Sequence, residues 1–319
     1  MIKIVIITLN YNQNEYTLKC IASILKSNFE NFSILLIDNG STTENYISLR
    51  EQLSKDSKIF LKRLEQNRGY VGGINYGLEQ GAKVNPDYFL IMNNDTILDK
   101  DAISELVSTF KNYHNNAIVT GKVYHYDEPN RLQDIGYTFK NEKKLLFNHI
   151  GLNETDNGQY DNISERDMLD DVYWLFPFDL YNEIGGYSPY FWFNAEQADF
   201  ALRAKKANYK LVYTPKAKLW HKGSLTIGGR IRNPQSAYWT IQSSLILRYL
   251  HLRRLFFYQF YIRIILGITT TYIKALISIQ ERQKKLLYAN AKFQGLIYFN
   301  KWLFRKNINI GFIPKKIKQ

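Results

Sequence analysis

Four short apolar runs, each ending abruptly in polar residues, divide the first hundred residues: 2–7, 32–37, 59–64 and 88–92. Between them lie helical patterns at 15–26 and 44–54, and a glycine-rich stretch at 67–77 that turns helical. Strands alternating with helices call for an α/β fold, a mostly parallel sheet with helices on both faces. Runs without polar alternation suit strands covered on both sides, and ligands of such sheets collect beyond the strands' carboxyl ends. The residues that follow each run are therefore the first candidates for chemistry. They are Thr8-Leu9-Asn10-Tyr11-Asn12, Asp38-Asn39-Gly40-Ser41-Thr42 and Asn93-Asn94-Asp95. A carboxylate such as Asp95 at a strand end can hold a divalent metal, and a metal there can neutralise a diphosphate leaving group. The alternative is a turn in which Asn93, Asn94 and Asp95 cap a helix starting near Lys100.

The segment Asn67-Arg68-Gly69 through Gly77 contains four glycines, which permit either close backbone approach to a ligand or close packing of a helix. A nicotinamide-binding fingerprint would need its glycines directly after the first strand, where this chain has none, and no G-x-x-x-x-G-K-[ST] loop for ATP occurs. Residues 120–170, rich in Asn, Asp, Glu and Lys, are expected to form a mobile, partly β region over the site, with short strands at 123–126 and 137–139. A further apolar strand is expected from Asp171 to Phe178. At 194–204 a helix begins, with Asn194 and Gln197 spaced as a capping box and Asp199 and Arg203 as an i,i+4 ion pair. A strand at 209–213 precedes Lys218-Leu-Trp-His221.

Charge divides the chain. From Arg230 to the end there are 17 Lys or Arg against one acid, Glu281, so the +13 net charge belongs to the tail. A single cysteine, Cys20, excludes a disulfide framework or a cysteine-based zinc site and fits a reducing compartment. The first residues, with one lysine and too short an apolar run for a signal peptide, read as the first strand.

Taken together and in this order, Thr8 to Asn12, Asp38 to Ser41, Asn67 to Gly77, Asn93 to Asp95, Glu196-Gln197-Ala198-Asp199 with Arg203, and His221 resemble inverting glycosyltransferases of family 2. The resemblance covers about residues 1–230 and is nearest to the bacterial rhamnosyltransferase-like branch. It implies a GT-A fold and transfer of a sugar from a nucleoside diphosphate to a glycan acceptor, of the lipid-linked kind used for bacterial surface polysaccharides. By the same resemblance Thr8, Asn10 and Asp38 hold the nucleotide base, Asn67, Gly69 and Gly73 flank the nucleotide, and Asn94 contacts the ribose. Asp95 matches the last residue of the D-x-D motif, which holds Mg²⁺ or Mn²⁺, and His221 matches a histidine that completes the metal shell. An imidazole among oxygen ligands favours Mn²⁺. Trp192 and Phe193, just before the helix, are candidates for stacking on an acceptor sugar or for core packing.

Two positions depart from the family pattern. Asn93 stands where D-x-D has its first Asp, leaving one carboxylate for the metal. Gln197 stands where the family usually has the aspartate assigned as general base, and glutamine cannot take a proton from a sugar hydroxyl. The candidates beside it are Glu196 and Asp199, and Glu196 is the better one because Asp199 competes for Arg203. A catalytically degenerate, sugar-nucleotide-binding or assembly protein of the same fold is the alternative.

The chain is expected to divide into a catalytic domain, 1–230, and a helical basic region, 231–319. In the latter, Phe, Tyr, Leu and Ile interleave with Lys and Arg in runs too short to span a bilayer. That pattern suits an amphipathic helix on an anionic membrane surface, with a homo-oligomer as a compatible use. Nucleic acid is not expected, because no binding module is present. The expected location is cytoplasmic, peripheral at the inner face of the cell membrane.

Overall fold

The structure, a computed structural model, describes residues 2–53, 55–223, 233–278, 280–309 and 311. The first half alternates as expected: β1 (Ile4–Asn10), α1 (Asn14–Leu25), β2 (Phe32–Asp38), α2 (Thr43–Gln52), β3 (Ile59–Arg63), α3 (Gly69–Ala82) and β4 (Tyr88–Met92). Then come β5 (Thr96–Leu98), α4 (Ala102–Asn112), β6 (Ala117–His125), β7 (Leu132–Asp134), β8 (Tyr137–Asn141), β9 (Leu146–His149) and β10 (Ser164–Glu165). The last elements are β11 (Tyr173–Pro177), α5 (Phe178–Ile184), α6 (Glu196–Lys206), β12 (Lys210–His221), α7 (Pro234–His251), α8 (Arg254–Leu276) and α9 (Arg282–Arg305).

The main sheet runs β10-β12-β6-β11-β4-β1-β2-β3, with β5 added to β12 and β7 to β6. Strands β4, β1, β2 and β3 are mutually parallel, and β6 and β12 are parallel to each other; β11 is antiparallel to both its neighbours. Every residue of β4 and β11 is buried, which is why their sequences show no polar alternation. This is the α/β, GT-A arrangement expected from the sequence.

Helix α3 explains its own glycines. Gly73, Gly77 and Gly81 recur every four residues and share one face. A Cβ on Gly77 would meet Ile7 Cγ2 at 2.5 Å, and one on Gly73 would meet Leu9 Cδ1 at 2.9 Å. These glycines seat the helix on the sheet rather than opening it to a ligand.

Residues 120–170 differ most from expectation. The short strand at 123–126 is the end of a nine-residue strand, β6, that lies inside the sheet, and β8 and β9 form a separate hairpin. The segment reads poorly because its contacts are distant: buried Lys122 pairs with Asp156 at 2.7 Å and Asp161 at 2.6 Å. The strand expected at 209–213 likewise continues to His221, with a register shift between Thr214 and Lys218.

The three C-terminal helices pack on the sheet layer. Ile241, Leu245, Phe257, Leu296 and Phe299 belong to the same apolar cluster as Val5, Phe89 and Phe200. Gly295 of α9 allows the close crossing with α7, since a Cβ there would meet the Tyr238 carbonyl at 2.6 Å. The division expected at residue 230 falls at 224–232, outside the described residues.

Candidate active site

The carboxyl ends of β1, β2 and β4 are joined by one line of hydrogen bonds. Asn94 Nδ2 donates to Thr17 Oγ1 at 2.7 Å, Thr17 Oγ1 donates to Asn10 Oδ1 at 2.8 Å, and Asn10 Nδ2 donates to Asp38 Oδ2 at 2.9 Å. The Ser41 N–H closes it on Asp38 Oδ1 at 3.1 Å. Asn10, Asp38 and Thr17 are fully enclosed, and Thr8 is buried with its hydroxyl unpartnered. Asp38 therefore orders the loops after β1 and β2 in this conformation. Thr17, on α1, was not among the sequence candidates, and its place in the line shows only when α1 lies against the strand ends.

Beside this line, Asn67 Oδ1 accepts from the Gly69 N–H at 2.7 Å, and Asn39 Nδ2 donates to the Gly69 carbonyl at 2.9 Å. Gly69 has φ +71°, and a Cβ on it would run into the Trp192 ring at 2.5 Å. Trp192 in turn stacks on Trp239, with centroids 6.0 Å apart and planes 11° apart. Packing thus occupies Trp192, while Phe193 is half-buried with its carbonyl accepting from Ser243 Oγ at 3.1 Å.

Asp95 and His221 meet although 126 positions separate them. Antiparallel pairing of β5 with β12 sets His221 opposite Thr96, and its Nε2 lies 3.2 Å from Asp95 Oδ1. No helix cap forms at Asn93–Asp95, because β5 intervenes before α4. His221 Nδ1 is 2.7 Å from Gln133 Oε1. With the Gln133 amide oxygen taken as acceptor from Nδ1, Nε2 faces both Asp95 Oδ1 and the Asn93 amide nitrogen, the latter at 3.5 Å. An unprotonated Nε2 and the Asp95 carboxylate at this separation would fit a shared cation, with Gln133 placed to orient the ring. Among the described residues no group of three His, Cys, Asp or Glu side chains could hold a metal. The pair therefore fits an ion that keeps most of its shell for water and phosphate oxygens, as Mg²⁺ does.

A third group comes from α6 and β11. Because β11 is antiparallel to β4, its start lies beside the end of β4, and the Asn93 N–H donates to the Val172 carbonyl at 2.9 Å. Asp170 and Asp171 are thereby brought next to the Asn93–Asp95 turn. Burial and the charge of Asp170 push the Asp171 carboxyl up to about 7, although Tyr187 Oη donates to it at 2.7 Å. Glu196, the first residue of α6, is 3% exposed and its Oε2 has no partner. Burial, then the nearby charge of Asp171, raise its pKa well above the ordinary glutamate value. Neither Asp170 nor Asp171 stood out in the sequence, where both read as the lead into a strand.

The entry to α6 is not the capping box its spacing predicts. Ala195 is the N-cap, with no side-chain cap, while Asn194 Nδ2 donates to Thr240 Oγ1 at 3.1 Å. Asn194 and Ala195 both hold positive φ, 76° and 70°, a left-handed pair that costs about 1–2 kcal/mol per residue and swings Glu196 inward. The expected Asp199–Arg203 pair is present at 2.8 Å, and Asp199 also accepts from Ser188 Oγ at 2.5 Å. Cys20 is buried, its thiol pushed up to about 12 by burial, and its Sγ donates to the Asn93 carbonyl at 3.6 Å.

Comparisons with known proteins show what the chain is similar to. A family model described as "Glycosyl transferase family 2" matches residues 4–172. The chain is 28% identical over 111 residues to the poly-beta-1,6-N-acetyl-D-glucosamine synthase of Staphylococcus aureus strain COL, a match covering 35% of this chain and 26% of that protein. It is 25% identical over 118 residues to glycosyltransferase GlyG of Streptococcus pneumoniae serotype 4, covering 37% and 38%. The matched stretch thus spans only about a quarter to two-fifths of these relatives' length. Among solved structures, S. aureus TarS 1-349 superposes with a TM-score of 0.48 at 13% identity, covering 94% of this chain and 73% of that one. Since the family model spans more than half of the 319 residues, the chain belongs to glycosyl transferase family 2.

Proposed function

We propose that this protein transfers a hexosyl or rhamnosyl group from a nucleoside diphosphate sugar to a glycan acceptor, with inversion at the anomeric carbon. The observation that supports it best is the buried Glu196, whose Oε2 has no partner, beside Asp170 and Asp171, which pairing of β11 with β4 sets next to the Asn93–Asp95 turn. In this reading the hydrogen-bonded line from Asn94 to Asp38 and the Asn67–Gly69 turn form the nucleotide side of the site. Asp95 and His221 would hold a divalent cation, Mg²⁺ or Mn²⁺, which when bound offsets charge on the departing diphosphate. Glu196 takes the proton of the attacking hydroxyl, and burial with the nearby charge of Asp171 raises its pKa, which makes its carboxylate a stronger base. The acceptor is a lipid-linked bacterial surface glycan, met at the inner face of the membrane.

Helix α8 supports the membrane part of this reading. Its inward face carries Phe257, Ile268 and Ala275, all buried, yet Leu255, Tyr258, Ile262, Leu266 and Ile273 stand 53% to 66% exposed along the opposite face. Exposed Arg253, Arg254, Arg263 and Lys274 flank that stripe, complementary to anionic lipid. No helix among the described residues is long and apolar enough to cross a membrane. A second copy of the chain on the same stripe is compatible with this use.

Gln197 favours a second reading, a degenerate member that binds sugar nucleotides without turning them over. Its Oε1 is buried without a partner and cannot accept a proton as a carboxylate would. One experiment separates the two: a panel of nucleotide sugars screened for nucleoside diphosphate release, with Glu196→Gln as control. Release by the native chain alone supports transfer. Binding of a donor with release no faster than in the Glu196→Gln control supports the degenerate protein.

A further inference from the structure

A cavity of about 230 Å³ opens between α6, α7 and the β8–β9 hairpin, one residue along α6 from Glu196. Its hairpin side is aromatic, Tyr137 and Phe147, and its helix side polar, Gln197, Thr240, Ser244 and Arg248. Arg248 is the single formally charged residue in that lining. Its guanidinium donates to the carbonyls of Leu145 at 3.2 Å and Ser244 at 3.4 Å and lies over Phe260 at 4.1 Å, while Nε is buried without a partner. Burial pushes its pKa down to about 10, and the charge that acts on it is another cation, Arg263. A cation desolvated this far with no counter-ion is costly unless a ligand supplies one. The Gln197 amide, with Oε1 buried and unpartnered, lines the same space and can turn its NH₂ inward.

We propose that this cavity binds a phosphate group carried by the acceptor, with Arg248 as counter-ion and Gln197 and Thr240 as neutral donors. The proposal rests on the glycosyltransferase reading above and names the acceptor's chemistry. Donors arriving from two helices suit a tetrahedral anion better than a flat carboxylate, and a guanidinium fork is suited to phosphate oxygens. A neutral side chain at 197 fits the same ligand, since a carboxylate there would both repel the anion and neutralise Arg248. The phosphate can come from a lipid or from a soluble phosphorylated glycan.

The test uses full-length protein and measures binding rather than turnover. Inorganic phosphate is titrated calorimetrically, and selenate is soaked into crystals so that its anomalous signal locates the anion. Selenate beside Arg248 is expected, with phosphate affinity reduced at least about tenfold by Arg248→Gln and by Gln197→Glu and largely kept by Arg248→Lys. Thermal unfolding checks that each variant is folded. If Arg248→Gln does not fold, Gln197→Glu decides, because it keeps the arginine. Glycerol 3-phosphate and micellar short-chain phosphatidic acid then distinguish the sources: tighter binding of the micelles assigns a lipid phosphate, and tighter binding of the soluble ester a phosphorylated glycan. Unchanged phosphate affinity in folded Arg248→Gln and Gln197→Glu, or selenate found only beside Asp95 and His221, would overturn the proposal. Nucleoside diphosphate release by the native chain in that event leaves the transferase reading intact.

Discussion

Asp199 Oδ1 and His251 Nε2 lie 2.8 Å apart, tying the first turn of α6 to the last turn of α7. With Arg203 and Ser188 on the other oxygen, both oxygens of this 1% exposed carboxylate are committed to structure. His251 and Arg203 together hold its pKa below the ordinary aspartate value despite burial. Toward the start of the same helix the opposite holds for Glu196, whose Oε2 has nothing to bind. Asp199→Asn should therefore destabilise the protein by about 3–5 kcal/mol, as breaking a buried ion pair does. Glu196→Gln should leave stability unchanged or raise it, since the amide carries no charge to bury, but lower turnover by at least about 10²-fold. Urea unfolding and nucleoside diphosphate release on both variants check this; a folded, inactive Asp199→Asn beside an active Glu196→Gln would exchange the two roles.

Asp95→Ala should abolish metal-dependent donor binding while the fold persists, because the side chain stands at a strand end and supports no core. Gln133→Leu should weaken metal affinity by about 10–100-fold through loss of the His221 orientation. Calorimetry with Mn²⁺ and donor measures both, and equal affinity in Asp95→Ala would remove that residue from the site.

Thr17→Val keeps shape but cuts the line between Asn94 and Asn10. Buried Asn10 and half-buried Asn94 then each lose a partner, a cost of about 1–3 kcal/mol. Donor affinity should fall in parallel, more than acceptor affinity. Unaltered donor binding would show that the line serves the fold alone.

The buried carboxyls give stability a pH dependence with a defined sign. Asp171 is raised from 3.8 to about 7, so its contribution to stability is complete below about pH 4 and is lost as pH rises to about 7. Over that window a proton held by the folded chain and not by the unfolded one contributes about 1.4 kcal/mol for each unit of pH. Asp171→Asn should flatten that part of the slope, leaving the share of Glu196, which is raised in the same direction. Transfer should instead accelerate as pH rises through the raised pKa of Glu196, since that carboxyl must lose its proton to act. Unfolding free energies between about pH 4.5 and 8 test the first statement, and rate profiles of native protein test the second.

Replacing Leu255, Ile262 and Leu266 with Ser should release the protein from vesicles containing anionic lipid while its thermal stability holds or rises, because those side chains are 66%, 56% and 59% exposed. High salt should weaken binding of the native protein only in part, since apolar burial is not screened. Co-sedimentation at low and high salt measures this. Equal sedimentation of variant and native protein would assign α8 to subunit contact instead.

Local chemistry written in the sequence determined the strand–helix alternation, the polar residues at strand ends, the Asp199–Arg203 pair and membership of the family. Each depends on neighbours a few residues apart, which periodicity and strand termini reveal. Tertiary structure alone decided which acids share the site, because antiparallel β11 brings Asp171 to Asn93 and the β5–β12 pairing brings His221 to Asp95, joining residues about 80 and 126 positions apart. It also decided that Gly73 and Gly77 pack a helix, that Trp192 stacks on Trp239, and that the left-handed pair Asn194–Ala195, not a capping box, opens α6. The two faces of α8 are equally apolar in sequence, so only packing against α9 and the sheet could settle which is covered and which is left exposed.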